Sequence, residues 1–140
     1  MDKFPRLAVD VLVEKNGTVL LIKRTHDPFK GKYALPGGFV EYGETVENAA
    51  VRECREETGI DVELEGILGV YSDPDRDPRG HVVSIVFFAT AKKGKISNSN
   101  ETEDVGYKPL KEIENLELAF DHEMIIEDFK IIHMSDETKE

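Results

Sequence analysis

The chain has 140 residues and a formal net charge of −11, which allows one domain but not two full-sized ones and excludes a nucleic-acid binder built on basic patches. With 39% hydrophobic and 8% aromatic residues it has the composition of an ordinary folded protein. Apolar runs such as Leu7 to Val13 are too short to cross a bilayer, the N-terminal stretch holds no signal-peptide core, and the lone Cys54 suits a reducing compartment, so a cytoplasmic protein is expected.

In chain order, Leu7 to Glu14 and Thr18 to Arg24 read as a β-hairpin around Lys15, Asn16 and Gly17. Residues 25 to 38, with two Pro and three Gly, read as loop, a brief Tyr33-Ala34-Leu35 strand and a turn. A helix is predicted over Val46 to Thr58, with Thr45 as its N-cap and Gly59 as its left-handed closing residue. Ile60 to Ser72 and Val82 to Ala91 read as strands flanking the turn-rich Asp73 to Gly80. An exposed loop over Gly94 to Asp104 should precede a short strand near Tyr107 to Leu110, and Asp121 should cap a last helix reaching about Ile132. These elements predict an α/β (α+β) fold, a mixed sheet between helices, as a single domain over residues 1–134 with a frayed tail at 135–140.

The chemistry concentrates between Gly38 and Ile60. Gly38 is followed by five residues and Glu44, then seven residues and Arg52-Glu53-Cys54-Arg55-Glu56-Glu57-Thr58-Gly59-Ile60. At about 100° per residue, Glu53, Glu56 and Glu57 fall on the side of the helix that carries Val46, Ala49 and Ala50. Carboxylates beside buried apolar groups repel one another and cost several kcal/mol unless neutralised. Hard, oxygen-seeking cations such as Mg2+ or Mn2+ resolve that conflict. They would also invert an acidic field for an anionic substrate. Arg52, four residues before Glu56, either pairs with it or steers neighbouring acids. Cys54 stands at an apolar position and reads as core packing.

At every fixed position this segment resembles the Nudix box, a match that residue frequencies make rarer than roughly one in 10^5 by chance. The resemblance implies the Nudix fold and metal-dependent cleavage of a diphosphate bond in a nucleotide derivative. It implies Glu56 and Glu57 as metal ligands, Glu53 as a further ligand or a water-activating base, and a contribution from the Gly38 carbonyl. Glu44 would brace the loop or join the metal network. A base outside the helix is also implied, and Glu101 and Glu103 are the candidates, with loop solubility the competing reading. The segment Tyr71 to His81, Pro74 above all, together with Ala119-Phe120-Asp121-His122, is similar to the small ADP-ribose pyrophosphatases of the superfamily. That similarity implies hydrolysis of ADP-ribose to AMP and ribose 5-phosphate and a possible homodimer.

Arg76 and Arg79 can then meet phosphate or ribose oxygens, and Tyr71 or His81 can stack on a nucleoside or hydrogen-bond to it; the competing reading is a surface turn whose Asp and Arg side chains pair with each other. Lys23 and Arg24 lie either near a phosphate or simply at a solvated strand end, and His122 reads as a helix N-terminal polar residue or a proton carrier. A calcium loop at Asp73, Asp75 and Asp77 is rejected, because Pro78 replaces its glycine and Ser84 its bidentate Glu. Two other activities share the box: hydrolysis of nucleoside triphosphates or dinucleoside polyphosphates, and, without catalysis, nucleotide sensing.

Overall fold

The computed structural model describes residues 3–134, so the tail expected at 135–140 lies outside the described residues. In chain order the elements are β1 (Arg6–Lys15), β2 (Thr18–Arg24), β3 (Tyr33–Ala34), β4 (Gly37–Phe39), α1 (Val46–Thr58), β5 (Ile60–Tyr71), β6 (Val82–Gly94), β7 (Thr102–Pro109), α2 (Leu110–Ile113), α3 (His122–Phe129) and a π-helical turn (Lys130–Met134). The β1–β2 hairpin closes through Asn16 and Gly17, both at positive φ, as the sequence pattern requires.

The strands run in the order β3-β2-β1-β6-β5, with β4 on β1 and β7 on β2. Among the strands of the described residues, β1 and β6 pair in parallel and the other strand pairs are antiparallel, with an isolated parallel bridge from Tyr33 to Leu118. Strand β1 alternates strictly. Val9, Val11 and Val13 pack with Leu20, Phe87 and the Ala49, Ala50 and Cys54 side of α1, whereas Leu12 faces Val86, Ile125, Ile126 and Phe129. The sheet is therefore sandwiched between α1 and α3, each layer buried through the two-residue period of the strands. Asp10, on the α3 face, is an acid inside this apolar strand and is only 8% exposed.

Helix α1 forms as its signals dictate. Thr45 accepts a hydrogen bond from the Asn48 amide at 3.0 Å, and Gly59, at φ 80°, closes the helix with its amide on the Arg55 carbonyl. A side chain at Gly59 would also meet the Lys95 carbonyl at 2.2 Å, so the helix end packs closely against the start of the loop that follows β6.

The expectations need four corrections. Strand β7 begins at Thr102, so Glu103 pairs with Lys23 inside a strand and is not in the loop. Gly37–Phe39 forms the short strand β4 on β1, where two glycines had read as a turn. Residues 110–113 make the helical turn α2 in place of the end of a strand. Asp121 precedes α3 but makes no side-chain capping bond.

Candidate active site

A cavity of about 360 Å3 opens where α1, β1, β4 and the loops before β6 and α3 converge. Its acidic lining is Asp10, Glu41, Glu53, Glu57, Asp77 and Glu101; its basic lining is Arg24, Arg52, Arg76 and Arg79, with His26 and His122. A smaller neighbouring pocket is lined by Glu53, Glu56, Glu57, Ser99, Asn100 and Glu101 and has no cation in its wall.

Arg52 organises the glutamates. Its guanidinium donates to both oxygens of Glu44 at 2.6 and 2.9 Å, to Glu53 at 2.6 Å, to Glu56 at 3.1 Å and to the Phe39 carbonyl at 3.3 Å. Glu44 also accepts from the Glu41 amide, and Arg52 and that amide hold its carboxyl down near 2. The loop after β4 is thereby pinned to the middle of α1. Gly38 has its role fixed by the same contact: a Cβ there would lie 2.1 Å from Glu53 Oε2.

Glu57 has the opposite environment. Its carboxylate accepts the Gly37 amide at 2.9 Å, but burial first, then the charges of Glu53, Asp10 and Glu101, push its pKa up to about 8. Burial also raises Glu53, against the pull of Arg52. Glu56 lies at the edge of the helix's buried arc, its side chain 57% exposed, so it does not share the apolar face as the projection had it. The loop carrying Glu101 is tied to the helix end by Thr102, whose hydroxyl donates to the Glu57 carbonyl at 3.1 Å.

Among the described residues no three His, Cys, Asp or Glu side chains already converge as a ligand cage. Arg52 holds Glu53 and Glu56, and the Gly37 amide holds Glu57. The donors nevertheless fit a hard divalent cation, because crowded carboxylate oxygens are its preferred ligands and the unmatched charge at Glu57 is what a cation relieves.

The predicted substrate residues divide. Arg24 and Arg79 line the cavity and flank Phe120, with guanidinium carbons 5.2 and 5.6 Å from its ring centre; Arg79 also lies over Phe39, and its Nε and Nη2 donate to Asp77 at 3.1 and 2.8 Å. Burial and the neighbouring Arg79 lower the pKa of Arg24. Arg76 also reaches the cavity wall, but its fork is committed to Asp121 in a two-bonded pair at 2.7 and 2.9 Å, with only 4% of its side chain exposed. Tyr71, Pro74 and His81 do not line the cavity. Tyr71 donates to Asp128 on the α3 side, His81 meets the Ser72 carbonyl, and Pro74 is on the exposed turn. Glu103 is exposed and lines neither pocket. Lining residues that the sequence reading left unassigned are Asp10, Gly37, Phe39 and Phe120. An acid inside the apolar run of β1 was the one available signal for Asp10.

The chain belongs to the Nudix family: the family model described as NUDIX domain matches residues 4–129. It is 52% identical over 125 residues to the ADP-ribose pyrophosphatase of Methanocaldococcus jannaschii, covering 89% of this chain and 73% of that protein. Among solved structures it is similar to a MutT NUDIX hydrolase from Burkholderia pseudomallei, at TM-score 0.82 and 31% identity over 90% of this chain and 98% of that one. It is also similar to the NUDIX domain of Shewanella oneidensis NrtR complexed with ADP ribose, at TM-score 0.80 and 28% identity, over 93% and 89% of the two chains. Members of the family generally depend on divalent metal.

Two outcomes follow from the ionic arrangement. Because the folded state raises the Glu57 pKa from 4.5 to about 8, metal-free protein holds that proton more tightly than the unfolded chain does. The contribution of this group to stability is fully present below pH 4.5 and is lost as pH rises towards 8. Glu57→Gln keeps an acceptor for the Gly37 amide and carries no charge. In the presence of a chelator it should be more stable than wild type at pH 8–9, by on the order of a few kcal/mol, and equal to it near pH 4. Urea titrations across that range measure the difference. Arg76→Gln should cost about 3–5 kcal/mol by leaving Asp121 unpaired, whereas Arg79→Gln should cost less, about 1–3 kcal/mol, because the buried Asp77 loses its guanidinium but keeps the Arg79 amide.

Proposed function

We propose that the chain hydrolyses ADP-ribose to AMP and ribose 5-phosphate with Mg2+, or Mn2+ in its place. The observation that carries this reading is the cavity itself, in which Glu53, Glu57 and Glu101 share one lining with Arg24 and Arg79. The likeness to the Methanocaldococcus jannaschii enzyme over most of both chains supports the choice of substrate, as does the likeness to an ADP-ribose-bound domain.

In this proposal Glu53, Glu56, Glu57 and the Gly38 carbonyl hold the cation. When bound, it offsets the charge of the diphosphate and lowers the pKa of the attacking water. Arg24 and Arg79 bind the diphosphate oxygens by charge-assisted hydrogen bonds from the cavity wall, through guanidinium N–H groups other than those given to the Pro28 carbonyl and to Asp77. Glu101 takes the proton from the water as its oxygen forms a bond to phosphorus. The bridging P–O bond breaks, and its electron pair leaves with the second phosphate. Glu101 is assigned because it lines both pockets beside Glu53 and Glu57. Glu103 is dropped from the role because strand β7 carries it away from them.

A single domain over 1–134, a cytoplasmic setting and a homodimer complete the proposal. For the homodimer, Ile67 and Val70 are more than half exposed on the edge strand β5 and offer apolar surface to a second copy; sedimentation at micromolar protein should give twice the monomer mass.

Purified protein with Mg2+ and ADP-ribose should release AMP, and Glu57→Gln should lower kcat by about 10^2-fold or more. Turnover of nucleoside triphosphates with none of ADP-ribose would reassign the substrate. Tight ADP-ribose binding without turnover would place the chain among nucleotide sensors, and a Glu57→Gln rate within a few-fold of wild type would remove that residue from metal binding.

A further inference from the structure

Asp10 is not one of the box glutamates, yet it lines the same cavity with His122. Both are nearly sealed from solvent, at 8% and 2% exposure. The surrounding groups fix their hydrogen-bonding character. The Ser84 hydroxyl donates to Asp10 Oδ2 at 2.5 Å. The Leu35 amide donates to His122 Nδ1 at 3.0 Å, so Nδ1 is an acceptor and the neutral ring carries its proton on Nε2. Asp10 Oδ1 and His122 Nε2 then stand 3.6 Å apart, beyond hydrogen-bond length.

The result is a fixed acceptor beside a fixed donor. An asparagine would satisfy Ser84 equally well, and a buried carboxylate costs several kcal/mol unless something uses its charge. Bulk is also excluded around it: a Cβ at Gly37 would sit 2.3 Å from Asp10 Oδ1. The lining mixes apolar Ala8, Ile22, Leu35 and Val82 with Arg76 and Glu57, whose charges reach Asp10, and in it the pair is a fixed acceptor and donor that can orient a ligand.

We propose that Asp10 Oδ1 and His122 Nε2 recognise the vicinal hydroxyls of a ribose, one hydroxyl donating to the carboxylate and the other accepting from the imidazole. A carboxylate is the usual protein acceptor for ribose hydroxyls. Ser84 and the Leu35 amide are positioning groups, acting only through Asp10 and His122. The inference rests on the nucleoside-diphosphate sugar reading above and adds to it the group that selects ribose.

The test uses the Mg2+-loaded enzyme with ADP-ribose and two analogues, one lacking both hydroxyls on the adenosine ribose and one lacking the equivalent pair on the terminal ribose. In the wild type, one analogue should lose roughly tenfold or more in kcat/KM. Asp10→Asn should raise KM for ADP-ribose by a similar factor, with kcat within about threefold, and should have no further effect on that analogue. Equal kcat/KM for all three substrates in the wild type overturns the proposal, as does a variant that slows all three alike. Should Asp10→Asn fail to fold, the wild-type comparison alone decides. No turnover of ADP-ribose would remove the substrate reading and the ribose site with it, which is distinct from turnover without discrimination.

Discussion

The site depends on a shortage of positive charge around α1. One guanidinium, Arg52, is shared among Glu44, Glu53 and Glu56, and it is only partly exposed, so water screens these pairs less than it would on an open surface. That single cation holds the loop after β4 onto the helix. It leaves Glu57 with an amide and no charge partner within ion-pair distance among the described residues. An excess of buried carboxylate beside an open pocket is unfavourable for the isolated chain and favourable for binding divalent metal. The same groups are thus a stability cost and a binding site.

Strand β1 allows one cavity to serve two kinds of group. Its two-residue period sends Val9, Val11 and Val13 under α1 and leaves Asp10 on the other face, near the start of α3. The box glutamates come from the α1 layer, whereas Asp10, His122 and Phe120 reach the cavity from the α3 side. Close backbone approach at Gly37 joins the two: its amide serves Glu57, and its Cα lies against Asp10.

Helix α1 was legible in the sequence to the residue, because its period, N-cap and closing glycine are all local signals. Cys54 was read as core and is fully buried. What was not legible depended on distant partners. Gly37–Phe39 has no strand composition and becomes a strand only because β1 offers it a free edge. Asp121 has the chemistry of an N-cap, yet a guanidinium 45 residues away takes both its oxygens. For the same reason Arg76 read as a phosphate ligand: sequence shows a charge but not whether another charge has already claimed it. Glu101 and Glu103 looked equivalent until the fold put Glu101 on the loop that lines both pockets and Glu103 inside β7, opposite Lys23.

This distribution separates chemistry from selection. The carboxylates proposed to hold the metal sit on a regular helix, capped at both ends and braced by Arg52, where small errors in position would be most costly. The groups assigned to phosphate and sugar come mostly from connecting segments: Arg79 from the turn before β6, Phe120 from the turn before α3, His122 from the first turn of that helix. Two ionic anchors, Arg76 with Asp121 and Asp77 with Arg79, give those segments fixed shapes without regular structure. In the proposed assignment, changing side chains on an anchored loop would alter what enters the cavity and leave helix α1 undisturbed. The groups assigned to substrate would then lie on loops whose backbone is held by charge pairs, and the groups assigned to hydrolysis on a helix whose geometry is set by backbone capping.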